Sequence, residues 1–412
     1  MLSRLALLLW HLLLVIALEN SLSEASSAHD RLDAGPPESW IHEPRPEDTV
    51  RVCPLPFCKS CRTAEQIQAP GIGFALEMGY GTASIRHHDG TYQDLAYIAG
   101  DNTYVSLLQR LASESPRFPA HDLSTYRGKL LWATERTQRL LSKNLGRPAT
   151  PTIVVLADML SRLKIQVESV LKDGRKVTAA VLSSPDLVSL SGEEITDALD
   201  YLSITNLMAK PDTLEDLYAS SAAYAGLGMG LCDHYTDPYV CEQEDNEIYP
   251  STRLLHLDFS PESLCVTIRW IKSAKESKVN KSIVDHDLGL GRSYVLKDVY
   301  WDAVRSRIRR LVQSFGVRIT RVILTGSSAS DQRFKAVVRE ALRDWTTVGA
   351  FDMMEQQGLD GEPSMLLYAT ARGAAEFAKR RLEGPVRCKE TERCKEFRQG
   401  IEQAKSTNKL EL

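Results

Sequence analysis

Apolar runs and glycine-rich turns alternate along the chain in an order that occurs twice. Residues 72–78, inside "GIGFALEMGYGTASI", read as a buried strand that enters a glycine turn and leaves as a second strand from Thr82. Asp89-Gly90, between "SIRHH" and "TYQDLAYIA", carries the two-residue hairpin signature and predicts a third strand. A mixed, partly helical region follows to about residue 150. From Leu156, apolar residues at Leu160, Leu163, Val167, Val170 and Leu171 hold helical spacing, which Asp173-Gly174 ends. "KVTAAVLSSP" reads as a buried strand, and Ser191 and Glu194 have capping-box spacing at the head of another helix. The small residues of "YASSAAYAGLGMG" predict a helix with a closely packed neighbour.

The pattern then restarts. "LLHLDFSPESLCVTIRWI" is again strand, tight turn and strand, with Leu264, Val266, Ile268 and Trp270 on one face. A helix carrying Val304, Ile308, Leu311, Val312 and Phe315 stops at Gly316. "VRITRVILTGSSAS" predicts a buried strand ending in a glycine-serine turn. "DQRFKAVVREALRDW" and "YATARGAAEFAKRR" predict helices. Two halves on one plan place the chain in the α/β class, as an internally duplicated two-lobe architecture with a cleft between the lobes.

This order of segments resembles the actin-like ATPase superfamily, with its ribonuclease-H-like lobes, and most closely the nucleotide-binding domain of the seventy-kilodalton heat-shock chaperones. The resemblance covers most of residues 71–381. "FALEMGYGTASI" and "LLHLDFSPESLCVTI" are similar to the two phosphate turns, and "RVILTGSSAS" to the adenosine turn. "AAVLSSPDLVSLSGEEITDAL" resembles the family's strand, proline and following helix, and "HDLGLG" its loop after the second sheet. "ASSAAYAGLG" and "ATARGAAEFA" resemble the two connecting helices. The resemblance implies vestigial nucleotide contacts at Glu77, Gly79, Gly81, Thr82, Asp258, Gly326, Ser327 and Ser328.

Several of the family's working parts are altered. In the first turn the aspartate, glycine and two threonines of the family correspond to Glu77, Gly79, Tyr80 and Gly81, with Thr82 one place later. The lysine position falls on Tyr104, and no lysine occurs from Arg62 to Gly128; Arg86 and Arg110 are the cations nearby in sequence. The run of three glycines in the second turn corresponds to Ser260-Pro261-Glu262. A proline there has no N–H to offer a phosphate, and a glutamate repels one. The second lobe is reduced, with room for one long helix between "HDLGLG" and "VILTG" where the chaperones hold a helical subdomain. Their downstream peptide-binding domain has no counterpart.

These losses imply a degenerate chaperone-like protein, a pseudo-ATPase that acts by binding or scaffolding, with no catalytic residue, metal or cofactor. The alternative retains ATP and magnesium: a lumenal relative that binds or weakly hydrolyses ATP. A third reading makes Glu77 and Asp258 a facing carboxylate pair for acid–base work. Against it stands the plainer reading that both end strands near solvent.

The N-terminus adds a compartment. Arg4 precedes an apolar run from Leu5 to Leu18, and Ser23 and Ala25 suit cleavage after Ala25, so the segment reads as a secretory signal peptide. An uncleaved anchor is the alternative, for which the run is short. "KLEL" at the end is a variant of the lumenal retention signal. The expected location is the endoplasmic reticulum lumen or the exterior, with no membrane contact after cleavage. A net charge of −4 argues against nucleic acid.

In that compartment the eight cysteines are read for disulfides. Cys232 and Cys241 flank a polar loop and form a candidate bridge. Cys388 and Cys394, on one continuous helix, would stand about 9 Å apart, too far to bond. Either the helix breaks or each pairs elsewhere, with Cys53, Cys58 and Cys61 as candidates. Zinc is the other reading of "CPLPFCKSC" but lacks a fourth ligand at finger spacing. Cys265, in a strand, is a candidate buried thiol, and Asn280 a glycosylation acceptor.

The chain thus divides into a leader (1–25), a polar Pro- and Cys-containing lead-in (26–70) and a first lobe (71–228). An acidic disulfide-bridged loop (229–250), a second lobe (251–382) and a charged C-terminal helix and tail (383–412) follow. The bridged loop, with Tyr235, Tyr239 and "CEQEDNE", is the candidate contact for a protein partner. His87-His88 reads as an exposed strand end, and "KRRLEGPVRCKETERCKEFRQ" as a solvated helix.

Overall fold

The computed structural model describes residues 55–114, 121–171, 174–209, 216–247, 252–275, 282–287, 289–294, 299–359, 363–385 and 388–408. The leader, Cys53, Asn280 and the last four residues lie outside them. The chain divides into two compact units, residues 1–54 with 117–150 and residues 55–116 with 151–412. Both sheets belong to the second unit.

The first sheet starts at β1 (Gly71–Leu76), buried along its whole length. A tight turn returns the chain as β2 (Tyr80–Arg86), antiparallel, with Phe74 opposite Ala83. The Asp89-Gly90 turn leads to β3 (Tyr92–Ala99), which pairs with β2. Helix α1 (Ala64–Gln68) precedes these strands, and α2 (Asn102–Glu114), α3 (Tyr126–Asn144) and α4 (Pro151–Val170) follow them. β4 (Ala179–Ser184) then runs parallel to β1, with Phe74 opposite Leu182. Helix α5 (Gly192–Tyr201) begins where Ser191 accepts the Glu194 N–H. Short strands β5 (Thr205–Asn206) and β6 (Leu217–Tyr218) both pair with β4, which completes six strands.

The second sheet repeats the design with four strands. β7 (Thr252–Phe259), β8 (Leu264–Ile271) and β9 (Ser282–Asp287) form an antiparallel meander. β10 (Arg321–Thr325) runs parallel to β7, Leu257 facing Leu324. The order β9-β8-β7-β10 reproduces β3-β2-β1-β4 of the first sheet. Both sheets are mixed and open, consistent with a two-lobe α/β fold.

Small residues govern how the helices meet. After α6 (Ala219–Gly226) and α7 (Pro238–Glu247) come α8 (Tyr300–Phe315), α9 (Gln332–Leu342), α10 (Asp352–Leu359), α11 (Pro363–Glu383) and α12 (Glu392–Asn408). The long helix α11 packs on α6 and across β1 and β2. A Cβ added at Gly373 would lie 1.8 Å from the Ala222 carbonyl oxygen, so only glycine permits this approach. α8 and α9 cover the second sheet with Val304, Ile308, Val312 and Phe334 against Leu257, Phe259 and Val266. α8 ends at Gly316, whose φ of 77° is the left-handed cap.

Three regions differ from the pattern reading. "CEQEDNE" lies on helix α7 rather than in a loop: Asp237 accepts the Tyr239 N–H, and Pro238 occupies the first helical position, where its missing donor costs nothing. His88 is no exposed strand end; its Nδ1 lies 2.7 Å from Glu383, mostly buried. The C-terminal charged run is not one solvated helix. It breaks between α11 and α12, and Arg398 and Glu390 pair in a buried position.

The break sets the sulfur pairing. Cys58 joins Cys388, Cys61 joins Cys394, and Cys232 joins Cys241. Cys58 and Cys61 are therefore bonded and not zinc ligands. Cys265 is a buried free thiol on β8. Three disulfides fit an oxidising compartment. Backbone bonds between Cys58 and Lys389, and between Lys389 and Pro56, continue the same seam. Among the described residues no helix is long and apolar enough to cross a membrane.

Candidate functional site

The two sheets approach each other where β1 and β7 end, and there the β1–β2 and β7–β8 turns face. Glu77 follows β1, and its N–H donates to the Tyr80 carbonyl at 2.8 Å, closing the first turn. The turn aims the Tyr80 side chain out of its own sheet. Its hydroxyl donates to Asp258 Oδ2 at 2.8 Å, at the end of β7 in the other sheet. The Thr325 hydroxyl, in register beside Asp258 on β10, donates to the same oxygen at 2.9 Å. His256 Nε2 lies 2.7 Å from that hydroxyl. The Tyr97 ring packs on Tyr80 at 5.5 Å between centroids.

The second turn satisfies itself. The Glu262 and Ser263 N–H groups both donate to Ser260 Oγ, at 3.3 and 3.2 Å. Ser260 N–H donates to the Ser263 carbonyl, and Pro261 has no N–H. The donors of this turn are thus consumed internally. Glu262 points into the first turn, where a Cβ added at Gly79 would lie 2.5 Å from Glu262 Oε2.

Three carboxyl groups from both turns therefore share one buried space. Glu77 is 3% exposed and Asp258 2%. Glu77 Oε1, Asp258 Oδ1 and Glu262 Oε2 have no hydrogen-bond partner among the described residues. Burial, and then the Asp258 charge, hold the Glu77 carboxyl well above the ordinary range, against a hydrogen bond from Thr370. Burial pushes Asp258 up to about 6; the Tyr80 and Thr325 hydroxyls oppose this and the Glu262 charge adds to it. Burial also lowers His256 to about 4. Burial and the Asp258 charge both favour the protonated, uncharged form of Glu77 in a site rich in acceptors. Glu77 and Asp258 do not finish strands near solvent; both are interior.

The remaining sequence candidates fall in different places. Tyr104 is buried, and its hydroxyl donates to the Glu77 carbonyl at 2.7 Å, bracing the first turn. Arg86 is held by Glu376 and Arg110 by Glu114. Gly81 meets Met159 and Leu163 of α4, on the opposite side of β2 from Tyr80. Thr82 is buried, and its hydroxyl has no partner among the described residues. Gly326 N–H donates to Leu366 and Ser328 N–H to Phe259, while Ser327 hydrogen-bonds the Tyr97 hydroxyl.

Pattern reading missed Thr325, Tyr97 and the reach of Tyr80. Thr325 had a signal, a hydroxyl closing an apolar run one residue before a glycine. Cys232, Cys241 and Asp245 lie close enough to resemble a metal cluster, but the two sulfurs are bonded to each other. Comparison with models of known protein families gives no match, and comparison with curated proteins gives none either.

Proposed function

We propose that this protein is a degenerate actin-like ATPase relative, closest to the chaperone nucleotide-binding domain, that works in the secretory pathway by binding or scaffolding a protein partner. Its cleft is filled by its own side chains. The observation that carries this reading is the Tyr80 hydroxyl on Asp258, with Glu262 seated over Gly79. Together they occupy the space between the turns and line it with carboxyl groups.

The repeated strand order, the position of α11 against α6, and α8 as the one α-helix among the described residues between β9 and β10 support the actin-like assignment. A magnesium–nucleotide does not suit these residues. A polyphosphate requires N–H donors and cations, whereas the second turn offers neither and adds Glu262. The three disulfides support an oxidising, lumenal setting.

Calorimetry with ATP and magnesium tests the proposal. The expected result is no magnesium-dependent binding tighter than about 1 mM. Micromolar binding that requires magnesium would overturn it.

A further inference from the structure

The three disulfides are not alike. Cys58 and Cys61, in "CKSC", have the spacing of dithiol redox motifs, yet each is bonded to a distant partner, Cys388 and Cys394. Lys59 and Ser60 between them are exposed, and Cys58, Cys61 and Cys388 are half-buried, within reach of a dissolved thiol. Cys232 and Cys241, by contrast, are 1% and 5% exposed.

Cys394 is placed to leave. It lies in the first turn of α12, where the free N–H groups of a helix stabilise a thiolate, and the Thr391 hydroxyl donates to its Sγ at 3.2 Å. Attack on a disulfide is fastest at the sulfur whose partner departs most readily, which here is Cys61. Cys58 is the neighbour that can supply the attacking sulfur. The seam also has contacts that do not depend on its bridges. Cys58 N–H donates to the Lys389 carbonyl, and Lys389 N–H to Pro56, both at 2.9 Å. Arg62 donates to the Gly384 and Arg381 carbonyls, and Lys379 to those of Ile67 and Ala69. Opening the bridges therefore leaves both sides of the seam docked.

We infer that Cys58 and Cys61 form a thiol–disulfide exchange site whose substrate is a dithiol. The first substrate thiolate attacks Cys388 Sγ, breaking the Cys58–Cys388 bond and forming a mixed disulfide at Cys388. The released Cys58 thiolate attacks Cys61 Sγ and expels Cys394 as thiolate. The second substrate thiolate then attacks its partner sulfur in the mixed disulfide, frees Cys388 and leaves as the oxidised disulfide. Two electrons pass from the dithiol to the protein, and two bridges become one. The two protons that the dithiol loses end on Cys388 and Cys394. The inference is independent of the reading of the cleft.

The test titrates the full chain with dithiothreitol after free thiols are blocked with N-ethylmaleimide. New thiols are trapped with isotopically labelled maleimide, and peptide mass spectrometry assigns every bridge. The expected product carries a Cys58–Cys61 bridge, label on Cys388 and Cys394, and an intact Cys232–Cys241 bridge. Cys58→Ser removes the attacking sulfur but keeps the Cys61–Cys394 bridge. Label should then reach Cys394 about tenfold more slowly at about 0.1 mM dithiothreitol, because a tethered thiolate acts at millimolar effective concentration. Cys394→Ser, left unblocked, frees Cys61, which should exchange with Cys58–Cys388 without any reductant and expose a thiol at Cys388. The mapping of the unaltered chain decides the outcome even where a variant fails to fold. Label on both halves of one native bridge with no Cys58–Cys61 product would overturn the proposal. So would opening of Cys232–Cys241 before the seam, a seam that resists dithiothreitol, or an unchanged rate at Cys394 in Cys58→Ser.

Discussion

Replacing Asp258 with asparagine should stabilise the protein, although it alters a buried, hydrogen-bonded residue. The carboxylate has its pKa raised from 3.8 to about 6 in the folded chain, mainly by burial. Folding therefore strengthens its hold on a proton, and the ionised form is penalised. About two units at 1.36 kcal/mol each make that penalty about 3 kcal/mol at pH 7.5. It shrinks to about half at pH 5 and vanishes below the unfolded value. Asparagine retains an oxygen for the Tyr80 and Thr325 hydroxyls and places an amide beside the unpartnered oxygens of Glu77 and Glu262. His256 titrates with the opposite sign: it is held neutral at about 4, so stability is lost as pH falls below 6.5. The quantity to read is thus the difference between variant and wild type, from denaturant unfolding at both pH values. The expected gain is about 3 kcal/mol at pH 7.5 and about half that at pH 5. A variant less stable at both, or a gain independent of pH, would refute the account of the carboxyl cluster.

Tyr80→Phe leaves the ring on Tyr97 but removes a donor from Asp258, and should lower stability by about 1–3 kcal/mol, read as a fall in melting temperature. The bridges Cys58–Cys388 and Cys61–Cys394 close almost the same loop, of 330 and 333 residues. Removing one by serine substitution should therefore cost little, and removing both about 4 kcal/mol, a non-additivity that a double-mutant cycle reads directly. Gly373→Ala places a methyl against the Ala222 carbonyl and should cost more than about 3 kcal/mol or abolish soluble expression; a melting temperature like that of wild type would contradict the close crossing of α6 and α11.

Local signals made much of the fold legible. The β1–β2 and β7–β8 hairpins were readable because alternating apolar residues flank a short turn, and α5 and α8 because Ser191 and Gly316 mark their ends. The repeat itself emerged from turn order. What escaped was non-local. Tyr80 stood in the sequence only as a replacement at a threonine position of the first turn, and only the approach of the second sheet turns it into a donor for Asp258. The pairing of Cys58 with Cys388 joins residues 330 apart, and no periodicity reports such a distance. His88 and Glu383 were likewise assigned to the surface, because their burial depends on α11 lying across the first sheet. α7 escaped for another reason. Its Asp237-Pro238 start is a local signal, but the flanking cysteines and acids suggested a loop.

The paired bridges at Cys58 and Cys61 also change the mechanics of the chain. Residues 61 to 388 lie within both covalent rings, 58–388 and 61–394, so tension applied outside them runs through sulfur and bypasses both sheets. A protease cut within that shared stretch opens both rings without releasing a fragment, and the two pieces remain one molecule until a reductant reaches the seam.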